Sequence, residues 1–175
     1  MEFKKVIELR RSTRKFTAQP VDRTVADRLM QTALTAPSAR NTRTTRLLAI
    51  DNPDTIRRIA AMRDYGSAFV EGAPLVIAVM GDRTGSDLWL DNAAISATIL
   101  QLAAVDEGLA SCWVHVNGRP RLKDDPSAGT AEEYLRTFIP IPDDWSVLCM
   151  VAVGYAAATP KPLPEHDDSQ SCRWL

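Results

Sequence analysis

The chain has 175 residues, room for one domain with a substantial core and too few for two. Its composition, 45% hydrophobic and 25% charged, is that of a soluble globular protein. The 21 Lys+Arg against 22 Asp+Glu argue against a dedicated nucleic-acid binder, because affinity for a phosphate backbone needs a basic surface, and leave room for a local basic patch. Cys112, Cys149 and Cys172 leave one cysteine over in any intramolecular pairing, and none stand as Cys-x-x-Cys. With His115 and His166 far apart, no zinc site is expected and a reducing compartment fits best. The start, Met-Glu-Phe-Lys-Lys, has no apolar run after it. Nothing approaches the roughly 18 apolar residues of a membrane span, so a cytoplasmic protein is expected.

In chain order, Phe3, Val6, Ile7 and Arg10 share one helical face, and a short helix is expected ahead of "RRSTRKF", residues 10 to 16. Asp22 can cap a second helix with Val25, Leu29 and Ala33 on its buried side, ending before Pro37. "TTRLLAID", 44 to 51, reads as a strand. "NPDTIRRIAAM", 52 to 62, has Asn52 as cap and Pro53 at the first helical position. "APLVIAVMG", 73 to 81, is a continuous apolar run of strand length, expected to be covered on both faces. Residues 86 to 107 form the longest expected helix, rich in Ala, Ile and Leu and ended by Gly108; a helix apolar on most sides lies at a domain centre or between subunits. "LASCWVHV" and "WSVLCMVAVGY" read as strands, and Thr130 with Glu133 forms a capping box between them. From Ala156 on, Pro160, Pro162 and Pro164 enforce an extended tail whose end, Trp174 and Leu175, is expected to pack on something. No G-x-G-x-x-G or P-loop follows any strand.

Three stretches carry candidate chemistry. In "RRSTRKF", Arg10, Ser12 and Arg14 alternate, so an extended backbone aims them one way. Two guanidinium forks and a hydroxyl suit one phosphate; a solvated loop at a helix end is the competing reading. In "APSARNTRTTR", 36 to 46, Asn41 offers donors and an acceptor that suit a heterocycle edge, although a polar loop explains the stretch equally. In "GLASCWVHV", Cys112 sits inside an apolar strand and reads as a small buried hydrophobe, not a nucleophile.

In this order, "RRSTRKF", "APSARN", "GLASCWV" after a long apolar helix, and "VAVGY" before a proline-rich tail resemble the nitroreductase-like FMN flavoproteins over nearly the whole chain. The resemblance implies an α+β fold, a mixed central sheet flanked by helices, and a homodimer with a swapped tail. Residues 1–155 would form a single flavin-binding domain and 156–175 an extended tail on the partner subunit. It implies FMN at the subunit interface. Arg10, Arg11, Ser12 and Arg14 would hold the phosphate or ribityl chain, joined by Lys161. Pro37, Ser38, Ala39 and Asn41 would approach from the other subunit. Val114, His115 and Val116 would lie along the ring, with a backbone N–H near its N5. The chain departs from the family pattern at Arg43, where Gln is common, and at Ala110, His115 and Val116, where Gly is common. A second basic tail residue is missing unless Arg173 supplies it. The implied activity is an oxidoreductase moving electrons from NAD(P)H through flavin to a small organic acceptor in a ping-pong cycle. The flavin would carry the chemistry, so no catalytic side chain is assigned. Neither nucleic acid nor membrane is an expected partner. A flavin carrier or sensor without turnover, and a small anion or nucleic-acid binder using the arginine loops, are the competing classes.

Overall fold

The computed structural model describes residues 1–174, apart from the side chain of Pro126. Helix α1 covers Phe3–Leu9 and α2 covers Arg23–Ala33. Strand β1 (Thr45–Ile50) and helix α3 (Pro53–Ala60) lead to β2 (Leu75–Asp82). The long α4 (Trp89–Asp106) then carries the chain to β3 (Ala110–His115). Helix α5 (Ala131–Arg136) and β4 (Trp145–Gly154) follow.

The local start signals act as the residues dictate. The Asp22 carboxylate accepts from the Thr24 N–H at 2.7 Å, and Asn52 Oδ1 accepts from the Thr55 N–H at 2.9 Å. Thr130 and Glu133 cap each other's backbone N–H groups reciprocally. Helix α4 begins at Trp89, three residues after the expected start, because Ser86 and Asp87 lie in a turn where Ser86 Oγ accepts from the Leu88 N–H. It stops before Gly108, whose φ of 75° suits the left-handed end of a helix.

The four strands lie in the order β1-β2-β4-β3, and every neighbouring pair is antiparallel. This corrects the expected mixed sheet. Strands β2 and β3 do run the same way, but β4 fills the slot between them, so no two parallel strands are adjacent. A parallel pairing does occur outside the strands, as the isolated bridge Ser12↔Ser111.

Two apolar layers flank the sheet. Helices α2 and α4 cover one face through Leu29, Ala93, Ala97 and Leu100. Helices α3 and α5 cover the other through Ile56, Ile59 and Leu135. Burial on both faces explains why β2 is a near-continuous apolar run. On α1 only Val6 is buried, whereas Phe3 is 70% exposed and Ile7 47%. The tail beyond Ala156 has neither helix nor strand among the described residues, and Trp174 is fully exposed in the single chain. Leu175 lies outside the described residues.

Gly154, at the end of β4, lets two segments approach closely. A Cβ there would meet Pro74 Cδ at 2.6 Å and Phe16 Cδ1 at 3.1 Å. Gly154→Ala is therefore expected to destabilise the fold by about 1–3 kcal/mol, the usual cost of overpacking. Urea unfolding at fixed protein concentration checks this; an unchanged midpoint would show that Pro74 and Phe16 yield freely.

Candidate functional site

The basic stretch leaves α1 with the Arg10 N–H donating to the Val6 carbonyl and then runs extended between β3 and the tail. Ser12 bridges Ser111, the Thr13 N–H donates to the Ser111 carbonyl at 3.0 Å, and Phe16 bridges Ala156. Burial pushes the Cys112 thiol up, and Arg14, the Ser12 hydroxyl and Arg10 pull against that rise, so all three act on the same buried sulfur. Arg11 does something else. Its guanidinium donates to the carbonyls of Lys161 at 3.0 Å, Glu8 at 2.7 Å and Arg10 at 2.6 Å, tying the tail to the basic stretch. Between them lies a cleft of about 650 Å³, lined by Ser12, Arg14 and Lys161 among others. Among the described residues no hydrogen bond or ion pair engages the guanidinium of Arg10 or Arg14; Arg14 stands over the Phe69 ring at 5.8 Å.

Strand β3 continues this region away from the basic stretch. Because the Ser111 carbonyl faces outward to Thr13, strand alternation turns the backbone groups of Trp113 and His115 outward as well. They line an edge that no strand pairs, among the described residues. Val114 and Val116 face inward instead: Val114 pairs with Met150, and the Val116 N–H donates to the Leu148 carbonyl at 2.9 Å. Of the three residues expected along a ring, only His115 therefore offers its backbone to a ligand, and Trp113, which sequence reasoning missed, offers a second. Strand alternation alone signals both positions. Among the described residues the Ser111 hydroxyl is buried without a hydrogen-bond partner, on the same sheet face as Trp113 and His115. The Trp113 and His115 rings stack 6.2 Å apart at 8°. Burial, then Arg119 and Arg63, lower the His115 imidazole below its ordinary 6.5.

Pro37, Ser38, Ala39 and Asn41 lie in the loop between α2 and β1. Arg40, Asn41 and Arg43 have φ of 52°, 55° and 48°, a left-handed backbone that costs non-glycine residues about 1–2 kcal/mol each. The loop is held by Asn92 of α4, which is 2% exposed. Asn92 Oδ1 accepts from the Ala39 N–H at 2.8 Å, and Nδ2 donates to Thr44 Oγ1 at 2.9 Å. The Arg43 N–H donates to Ser38 Oγ at 3.0 Å. Asn92 is a positioning residue that the sequence marks only as a polar side chain within an apolar run.

The two halves of the expected site do not meet in one chain. The loop enters β1 at Thr45, which pairs with Gly81; Ser111, beside the basic stretch, pairs with Val153, which pairs with Leu75. These are opposite corners of the sheet, about 14 Å apart across the strands and about 20 Å along them. Arg10, Ser12, Arg14, Lys161 and His115 are brought to one edge; Pro37, Ser38, Ala39 and Asn41 are brought to the other.

No group of three or more His, Cys, Asp or Glu that could hold a metal occurs among the described residues. Cys112 and Cys149 are buried thiols, and burial holds Cys149 well above the ordinary thiol range. No helix among them is long and apolar enough to cross a membrane.

A family model described as the nitroreductase family matches residues 7–63 and 60–155. A Methanothermobacter thermautotrophicus protein, provisionally named NADH dehydrogenase/NAD(P)H nitroreductase, is 27% identical over 163 residues, covering 91% of this chain and 80% of its own. An FMN-dependent nitroreductase from Clostridium difficile is similar in structure, with a TM-score of 0.84, 31% identity, and coverage of 94% of this chain and 92% of its own. A provisionally assigned nitroreductase from Desulfovibrio desulfuricans, solved in complex with FMN, has a TM-score of 0.79 at 21% identity, covering 100% and 97%.

Proposed function

The chain belongs to the nitroreductase family, and from that membership we propose that it is an FMN-dependent oxidoreductase moving electrons from NAD(P)H to a small organic acceptor of nitroaromatic, quinone or enone type. Held on the β3 edge, FMN would supply two-electron redox chemistry, and we read the overall cycle as ping-pong. The observation that carries this reading is the β3 edge itself: outward backbone at Trp113 and His115, with Arg10 and Arg14, unpaired among the described residues, at one end. These residues fit a flavin with a single terminal phosphate. Arg10, Ser12, Arg14 and Lys161 bind the phosphate and the adjoining chain as charged and neutral donors. Arg11 acts by fixing Lys161 and the tail in place. Trp113 and His115 supply backbone donors and acceptors to the ring edge.

Pro37, Ser38, Ala39 and Asn41 complete the site from a second copy of the chain, because they lie at the opposite edge of the sheet, about 14 Å across the strands from β3. Residues 1–155 then form the flavin-binding domain and the tail lies on the partner. The exposed Phe3, Ile7, Ile95 and Trp174 supply apolar surface for such a dimer. The protein works in the cytoplasm on this reading, without nucleic-acid or membrane partners.

The test is anaerobic reconstitution. The protein is expected to take up FMN in preference to FAD, since the site holds a single phosphate pocket and no dinucleotide fingerprint. NAD(P)H is expected to bleach the bound flavin, and a nitroaromatic or quinone to restore its colour. Uptake without bleaching would leave a carrier or sensor; no uptake would end the flavin reading. Sedimentation at micromolar protein is expected to show a dimer, and a species of 19.3 kDa alone would contradict the shared site.

A further inference from the structure

We propose that Arg63, Arg119 and His115 form an anion subsite at the C-terminal end of β3 that selects electron acceptors carrying a carboxylate. The inference rests on the flavin reading for its role and on the following geometry for its existence.

After His115 the chain turns at Gly118, with φ of 65°, and the Arg119 N–H donates back to the Val116 carbonyl at 3.0 Å. The turn thereby brings the Arg119 backbone back to the end of the strand, with its side chain exposed. Arg63 arrives from the segment after α3. The Asp64 N–H donates to the Arg121 carbonyl at 3.1 Å, and the Asp64 carboxylate accepts from the Lys123 N–H at 3.1 Å. Residues 63–64 and 119–123 therefore lie side by side.

Among the described residues no carboxylate pairs with the Arg63 or Arg119 guanidinium. Other arginines of the chain do meet carboxylates, as in Arg23–Asp51, Arg28–Glu107 and Arg136–Glu132. Among the described residues neither Arg63 nor Arg119 makes a side-chain hydrogen bond or ion pair. Arg63 stands over the Tyr65 ring at 4.7 Å, and its Nε is buried without a partner. The nearby Asp64 carboxylate is turned to backbone. His115 adds a donor. The Trp113 indole donates to its Nδ1 at 3.4 Å, which leaves the proton of the neutral ring on Nε2. The same burial and the same two arginines that lower the imidazole keep it in that form at neutral pH. Two guanidiniums suit the planar, two-oxygen geometry of a carboxylate, and the His115 ring, which also meets the Asn117 backbone, lies beside them. The cluster adjoins the β3 edge at the end remote from the basic stretch, about 13 Å from Ser111, so it is separate from the phosphate pocket.

The test uses FMN-loaded protein, benzoate as the probe and benzamide as its neutral isostere. His115 and His166 are the two histidines, so the imidazole NMR signals are readily assigned, with His166 of the exposed tail as internal control. Benzoate is expected to shift the His115 signals saturably and to raise the pH at which they titrate, leaving His166 unmoved. Benzamide is expected to bind at least about tenfold more weakly, and Arg63→Gln to weaken benzoate by a similar factor. Arg119→Gln supplies a second variant should the first fail to fold. In turnover, the kcat/KM ratio of 4-nitrobenzoate over 4-nitrobenzamide is expected to fall about tenfold in either variant. Equal binding of benzoate and benzamide, absence of a saturable His115 shift, or unchanged benzoate binding in both variants would overturn the subsite. Benzoate binding by a protein that takes up no flavin would remove the acceptor role, and reconstitution detects that failure separately.

Discussion

Arg14→Ala is expected to raise the dissociation constant for FMN at least about tenfold, since a charge-assisted hydrogen bond contributes roughly 1.5–3 kcal/mol. Riboflavin, which has no phosphate, should change far less. Arg14 lines the cleft shared with Lys161 and carries no hydrogen bond among the described residues, so its guanidinium is available to a ligand. Arg23→Ala is the charge-matched control. Arg23 lies on α2 and pairs with Asp51 at 2.8 Å on an exposed surface, where such pairs contribute little. Fluorescence titration of apo-protein with both flavins separates the outcomes. Equal weakening of FMN and riboflavin would place Arg14 at the ring instead of the phosphate. No change in either would return the basic stretch to a solvated loop.

Asn92→Ala is expected to cost roughly 2–4 kcal/mol, because it strips partners from the Ala39 N–H and the buried Thr44 hydroxyl and a buried unsatisfied polar group costs about 1–3 kcal/mol. For a chain of this size that lowers Tm by roughly 5–15 °C, read at fixed protein and flavin concentration. Asn92→Asp keeps the acceptor for Ala39 and loses the donor to Thr44, so it should fall between. Released from Asn92, the 37–41 loop is expected to relax from its left-handed conformation, and FMN affinity should drop although residue 92 need not touch the cofactor. A destabilisation under about 0.5 kcal/mol, with unchanged affinity, would show that the loop holds its shape alone.

The sequence by itself determined the elements and the chemistry on offer. Asn52 before Pro53, Thr130 with Glu133, and the apolar run of β2 are local signals, decided by groups a few residues apart. The alternation of Arg10, Ser12 and Arg14 was legible for the same reason, since an extended backbone fixes which side chains share a side. The tertiary structure alone decided which of these groups meet. The antiparallel sheet follows from β4 entering between β2 and β3, a pairing across tens of residues that no local pattern encodes. That slot sends the 37–41 loop and the basic stretch to opposite corners, and it leaves the Trp113 and His115 backbone on an open edge while turning Val114 and Val116 inward. Asn92 joins α4 to residues 39 and 44, about fifty positions away, and the loop after α3 that carries Arg63 is tied by Asp64 to Arg121 and Lys123, nearly sixty positions on. A side chain's chemistry is written in its own residue; its partners are set by packing, which becomes visible only when distant segments share a surface.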